Sequence, residues 1–215
     1  ANWEKDIMYP SDMAKRIDAD VALCINGSGY VSPVFPGIPD NYPGVSADYF
    51  YTPLGSLTIT DGEIFRNLTG VPYYGLTLQS DGLHLHVGDD IPDALAASPT
   101  QTWSFYVGCP LIRDGRSILD TEWSFAKAKA IRTIIAKMDD NNYLILTVTA
   151  KVSAGMSLID AVAYLQETFA PDWAYDLDGG PSSALLARRV GETKLRTIYG
   201  NNSKDADVMA FVELP

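Results

Sequence analysis

The sequence predicts an α+β fold, a single domain with a mixed, largely antiparallel central β-sheet packed by a few helices. Three features predict it. Short segments rich in β-branched and aromatic residues outnumber helical patterns. Asp-Gly pairs punctuate them, at Asp61-Gly62, Asp81-Gly82 and Asp114-Gly115. One clear amphipathic helix follows Ser157. Asp and Gly tolerate the left-handed backbone of a tight hairpin turn, so each pair implies two neighbouring antiparallel strands.

Along the chain, residues 10–19 read as a helix capped by Ser11, followed by a buried strand at Val21–Ile25. Residues 31–55 hold five prolines and several aromatics and read as a long ordered loop. Leu57–Thr60 and Glu63–Arg66 flank the first Asp-Gly pair, and Leu76–Gln79 and Leu83–Val87 flank the second. A short helix near Ile91–Ala97 leads to a strand at Thr102–Val107, and Leu111–Arg113 enters the third pair. Ile131–Ala136 and Tyr143–Ala150 form a strand pair joined through Asp139–Asn142. Ser157 then caps a helix whose Leu158, Ala161, Val162, Leu165 and Phe169 share one face, with Asp160 at the acidic position of a capping box. Ala174–Leu177, Ala184–Arg188 and Val208–Leu214 complete the strands.

A chain of 215 residues, 47% apolar and 20% charged, supports one well-buried core, so residues 1–215 are read as one domain. The net charge of −11 repels phosphate backbones and argues against a nucleic-acid partner. A phosphate-bearing substrate would need local positive potential against that background. No apolar run approaches the length of a membrane span. The chain starts at Ala1 rather than Met, which is compatible with a trimmed leader or upstream domain. Cys24 and Cys109 are too few for a disulfide framework and read as buried free thiols. Glycosylation sequons occur at Asn26, Asn67 and Asn201.

A fourth Asp-Gly pair differs from the other three, because it follows a helix and a short buried strand in Asp176-Leu-Asp-Gly-Gly-Pro-Ser-Ser183. Asp176 and Asp178 stand at i and i+2, so an extended strand would set both carboxylates on one face, with Cα atoms about 6.5–7 Å apart. Gly179 and Gly180 let the backbone approach a ligand closely, and their amides are candidates for an anion cradle. Ser182 and Ser183 add hydroxyls that either bind substrate or satisfy turn amides.

This segment resembles the Asn-Leu-Asp-Gly-Gly-Gly-Ser-Ser signature of the phosphodiester glycosidase family, which includes many bacterial exopolysaccharide-related proteins. Four further elements follow the family order. Ile25-Asn26-Gly27 resembles an Ile-Asn-Gly-Gly element. Thr102-Trp-Ser-Phe105 with Pro110-Leu-Ile-Arg-Asp-Gly115 resembles Trp-Ser-Phe-Gly-Pro followed by Leu-Val-x-Asp-Gly. Arg132-Thr133 matches an Arg-Thr pair, and Ser153-Ala-Gly-Met-Ser-Leu158 matches Ser-x-Gly-Met-Thr-Leu. The resemblance implies a secreted or cell-envelope hydrolase that cleaves a sugar-1-phosphodiester, or a phosphoglycan, at the anomeric carbon. It implies no cofactor and no metal.

Carried over residue by residue, the resemblance makes Asp178 the catalytic carboxylate, with Asp176 and Arg132 beside it. Arg132 offers a planar fork suited to phosphate oxygens, its alternative being a structural salt bridge. Asn26 and Gly27 are expected to hydrogen-bond sugar or to position the glycine-rich backbone. Asp114, Gly179, Gly180, Ser182 and Ser183 are the remaining candidates for substrate binding. The chain departs from the family pattern at Asp176 (usually Asn), at Pro181 (usually Gly), and after Arg132-Thr133, where Lys137 could add positive charge. His84 and His86 are expected on a surface strand and lack a third metal ligand at motif spacing. Two rival readings stand beside the glycosidase: a catalytically silent carbohydrate-binding module of an envelope or phage-tail assembly, and a hydrolase that attacks phosphorus.

Overall fold

The computed structural model describes residues 7–17, 19–30, 55–68, 70–104, 110–140, 142–150, 154–200 and 202–213. Most of the proline-rich loop, Cys109, the strand expected past residue 104, Ser153, Leu214 and the Asn201 sequon lie outside these residues.

The α+β class holds, with the strands divided among four sheets in which every pairing between named strands is antiparallel. All three Asp-Gly hairpins form. The first joins β2 (Leu57–Thr60) to β3 (Glu63–Asn67), and the second joins β4 (Tyr73–Gln79) to β5 (Gly82–Asp89). The third joins β7 (Pro110–Arg113) to β8 (Arg116–Ser117). Asp61 and Asp114 adopt the positive φ that such turns demand, at 52° and 51°.

Two sheets matter for the site. The five-stranded sheet has the order β10-β9-β11-β7-β8, with β9 at Arg132–Lys137, β10 at Tyr143–Val148 and β11 at Trp173–Asp176. The four-stranded sheet has the order β13-β12-β1-β14, with β1 at Val21–Asn26, β12 at Ala184–Ala187, β13 at Arg196–Gly200 and β14 at Val208–Val212. The short β6 (Gln101–Trp103) pairs with β4 and completes a three-stranded sheet.

Helix α1 spans only Pro10–Ala14 and begins on Tyr9 with Pro10 in its first turn, so Ser11 is not its cap. Helices α2 (Ile91–Ala96) and α3 (Ser124–Lys127) are also short. Helix α4 (Leu158–Thr168) follows its sequence signature: Ser157 Oγ accepts the Asp160 amide at 3.0 Å, a cap worth about 1 kcal/mol.

The buried face of α4, Leu158, Ala161, Val162 and Leu165, packs on Leu111, Ile112, Ile134, Ala136 and Ala174 of the five-stranded sheet. Each fully buried Leu or Val contributes about 1.5–3 kcal/mol. Strand alternation sends Ile135, Trp173 and Tyr175 to the opposite face, where they meet Ile25, Leu76, Trp103, Leu177 and Met209. The five-stranded sheet is therefore covered on both sides, and its β9 and β11 ends abut the end of β1. That junction positions the site.

Candidate active site

Asn26 ends β1 with no exposed surface, and its amide ties three segments together. Nδ2 donates to Asp178 O at 2.6 Å, while Oδ1 accepts from Thr133 Oγ1 at 2.8 Å and from the Ala184 amide at 2.9 Å. These bonds hold the glycine-rich backbone against β1 and β9. The burial also removes Asn26 as a glycosylation site. Three backbone bonds continue the seam: Leu177 N–H to Thr133 O at 2.8 Å, Asp178 N–H to Gly27 O at 3.1 Å, and Gly180 N–H to Ile131 O at 3.0 Å.

The glycines have distinct reasons. A Cβ at Gly179 would lie 2.7 Å from Ile131 O, and Gly180 sits at φ +59°. Their amides, expected to cradle an anion, are used internally. Gly179 N–H donates to Asp178 Oδ1 at 2.7 Å, and Gly180 N–H is taken by β9. Ser182 and Ser183 close the 3-10 turn Gly180–Ser182 through their own amides, to Gly179 O and Gly180 O. Ser183 Oγ is buried without a hydrogen-bond partner.

Arg132 opens β9 and is 1% exposed. Its Nη1 faces Asp176 Oδ2 at 3.3 Å, Nη2 donates to Phe125 O at 3.2 Å and Ala128 O at 2.9 Å, and the guanidinium lies 4.4 Å from the Phe125 ring centroid. The fork is thus turned inward, toward Asp176 and α3. Asp176, also 1% exposed, keeps Oδ1 without a partner. Burial raises its carboxyl above the usual range, Arg132 opposes the rise, and Asp178 adds to it.

Asp178 lies two residues past the end of β11 and is half-buried. Burial lifts its carboxyl to about 6 against hydrogen bonds from Ser182 and the Gly179 amide, and Asp207 adds to the rise. A carboxyl that changes charge near neutrality is suited to proton transfer.

Two further carboxylates enter from the segment before β14. Asp207 accepts from the Ser28 amide at 2.6 Å and from Ser28 Oγ at 2.9 Å, and its Oδ1 occupies the place a Cβ at Gly27 would take. Burial carries its carboxyl to about 6 against those two Ser28 donors. Asp205 is 1% exposed, and its two oxygens meet no donor other than the Ser182 hydroxyl among the described residues. Burial first, then Asp178, raises it to about 9, Asp207 adding to the rise and Ser182 opposing it. Sequence reasoning missed both. The available signal was Asp205-Ala-Asp207, which repeats the i, i+2 spacing of Asp176-Leu-Asp178.

Other predicted residues lie elsewhere. Asp114 occupies the β7–β8 turn, whose Gly115 amide bonds Asp172 O, at the start of β11 and so at the opposite end of that strand from Asp178. Lys137 pairs with Trp173 at the same distant end and reaches Asp140 at 3.4 Å. His84 is exposed and bonds Asp81 at 2.8 Å, whereas His86, expected at the surface, is buried and lies 2.9 Å from Thr77 Oγ1. Among the described residues no group of three or more His, Cys, Asp or Glu is placed to hold a metal ion. Cys24 is buried and free, its thiol pushed well up by burial and then by Asp205.

The family model described as phosphodiester glycosidase matches residues 19–212, a span that contains β1 through β14 and every residue of the junction. The chain belongs to the phosphodiester glycosidase family. No curated protein sequence matches it. The family fold recurs in solved structures. A zebrafish N-acetylglucosamine-1-phosphodiester alpha-N-acetylglucosaminidase catalytic domain, auto-inhibited by its pro-peptide, is 19% identical with a TM-score of 0.61, covering 91% of this chain and 64% of that one. A hypothetical protein from Synechocystis is 14% identical with a TM-score of 0.57, covering 95% of this chain and 54% of that one. This phosphodiester glycosidase family member thus spans less than two thirds of either solved chain. No helix among its described residues is long and apolar enough to cross a membrane.

Proposed function

We propose that this protein hydrolyses a sugar-1-phosphodiester at the anomeric carbon, releasing free sugar and a phosphomonoester. Family membership supports the reaction class, and one observation supports its location. Asp178 is a half-buried carboxylate held by the Gly179 amide at the point where β1 and β11 end and β9 begins.

A phosphate leaving group is already good, so the protein's tasks are to orient the sugar, to stabilise oxocarbenium-like charge and to manage protons. Asp178 acts at the sugar. Asp176 and Arg132 form the charge-compensated wall behind it, and Arg132 keeps Asp176 from adding a full negative charge to the pocket. The raised carboxyls lessen the negative charge that an anionic substrate meets in a protein of net charge −11. Gly179 allows close packing on Ile131, Gly180 the left-handed turn and Gly27 the room for Asp207, and Ser182 hydrogen-bonds the Asp178 carboxylate. A secreted or envelope setting, with a phosphoglycan as the natural substrate, fits this chemistry.

The test is a panel of sugar-1-phosphodiesters run in isotopically labelled water. Cleavage at the anomeric carbon places the label in the sugar. Label in the phosphate would replace this reading with attack at phosphorus. Sugar binding without turnover would leave a silent carbohydrate-binding module.

A further inference from the structure

The four buried carboxylates are not equivalent. Asp178 and Asp207 are half-buried, whereas Asp176 and Asp205 are each 1% exposed. The backbone of Asp178 and the carboxylate of Asp207 both meet Gly27. Asp178 donates its amide to Gly27 O at 3.1 Å, and Asp207 Oδ1 packs where a Gly27 side chain would be. Glycine is required there because Asp207 takes the space. The donors to Asp207, Ser28 N–H and Ser28 Oγ, fix both of its oxygens. Asp205 is 1% exposed, and apart from the Ser182 hydroxyl its two oxygens meet no donor among the described residues. An under-satisfied buried acceptor is destabilising, and it is tolerated where a shared proton or a ligand hydroxyl supplies the missing donor.

We propose that Asp207 is a second catalytic carboxylate, acting with Asp178 on the same substrate; this rests on the glycosidase reading above. Asp207, with both oxygens held by Ser28 donors, takes the proton of the attacking water. Asp178 stands among the other carboxylates and carries the proton of the pair. The water oxygen bonds to the anomeric carbon as the bond from that carbon to the phosphate oxygen breaks, with its electron pair leaving on phosphate. Asp178 gives its proton to the departing phosphate oxygen, and Asp207 gains one from water. The pair ends with the single proton it began with, moved from one carboxylate to the other, and proton exchange resets it. The titratable groups facing Asp207 are Asp178 past β11, Asp205 on its own segment and Tyr73 of β4, with the Asp176–Arg132 pair behind Asp178.

Two measurements test this. On a sugar-1-phosphodiester that the wild type turns over, Asp207→Asn should lower kcat by about a hundredfold or more with the far-UV spectrum unchanged. Carboxyl carbon NMR titration of the wild type should show Asp207 ionising at lower pH than Asp178, with a second inflection in the Asp207 signal as Asp178 ionises. That second measurement stands even if the Asp207 variant does not fold. Asp207→Asn turning over at the wild-type rate, or Asp178 ionising before Asp207, would overturn the proposal. A wild type inactive on every sugar-1-phosphodiester, with the two transitions still coupled, would instead remove the glycosidase reading and with it the reaction assigned to Asp207.

Discussion

Replacing Asn26 with Ala should be among the most damaging single changes to this fold. The substitution removes a donor to Asp178 O and orphans two buried donors, Thr133 Oγ1 and the Ala184 amide. Each buried group left unsatisfied costs about 1–3 kcal/mol, and groups sharing one network do not add fully, which gives a loss of about 3–5 kcal/mol. At 1.36 kcal/mol per factor of ten, the unfolding equilibrium should shift by roughly two to four powers of ten. Urea denaturation checks this: the midpoint should fall while the slope stays constant, because the surface exposed on unfolding is nearly unchanged. Asn26→Asp keeps the two acceptor contacts but turns a carboxylate against the Asp178 carbonyl, so it should also be destabilised, and more so at high pH. A loss below about 1 kcal/mol for Asn26→Ala would mean that the amide is not the tie between β1, β9 and β11, and the positioning argument would fail.

Arg132→Lys loses the two carbonyl contacts and the Phe125 stacking, so it should cost about 3 kcal/mol or more by denaturation, and a variant as stable as wild type would refute the inward-turned fork. Asp176→Asn should lose stability, since Arg132 keeps its charge without a partner, yet remain active with the Asp178 limb of the pH–rate profile moved to lower pH; a folded but inactive variant would transfer the catalytic role to Asp176. The raised carboxyls also set a pH dependence of stability. Asp178 and Asp207 near 6 and Asp205 near 9, all from an ordinary value of 3.8, hold protons that the unfolded chain has released. Their contribution is complete below about pH 4 and is lost as pH rises through the folded values, so the urea midpoint should fall between pH 5 and pH 9. Asp205→Asn should flatten that fall, and a midpoint rising across the window would contradict the raised carboxyls.

Local chemistry made much of the fold legible. Asp-Gly turns need only φ preferences, and the three hairpins formed where the pairs stand. The Ser157 cap and the apolar face of α4 are properties of neighbouring residues, and both hold. Helix α1 was misread because Pro10 fits the first turn and displaces Ser11 from the cap, and β13 and α3 carry too weak a pattern to be seen.

The site divides along the same line. The sequence by itself determined the Asp178-Gly179-Gly180 turn, because left-handed and close-packed backbone demands glycine wherever it occurs. It also placed Asn26 and Arg132 among the candidates. Only the tertiary structure decided what those residues face. Asn26 reaches Asp178 across 152 positions, and Ser28 reaches Asp207 across 179. Arg132 turns to Asp176 and α3 because the packed sheet leaves its fork no other partners among the described residues. Asp205 and Asp207 join the site because β14 pairs with β1, and Asp114 lies apart from it because β7 runs antiparallel to β11. Hydrogen-bond reach and desolvation act through space, whereas sequence records only the order of residues along the chain, so the charge state of this cluster exists only once the two sheets have met.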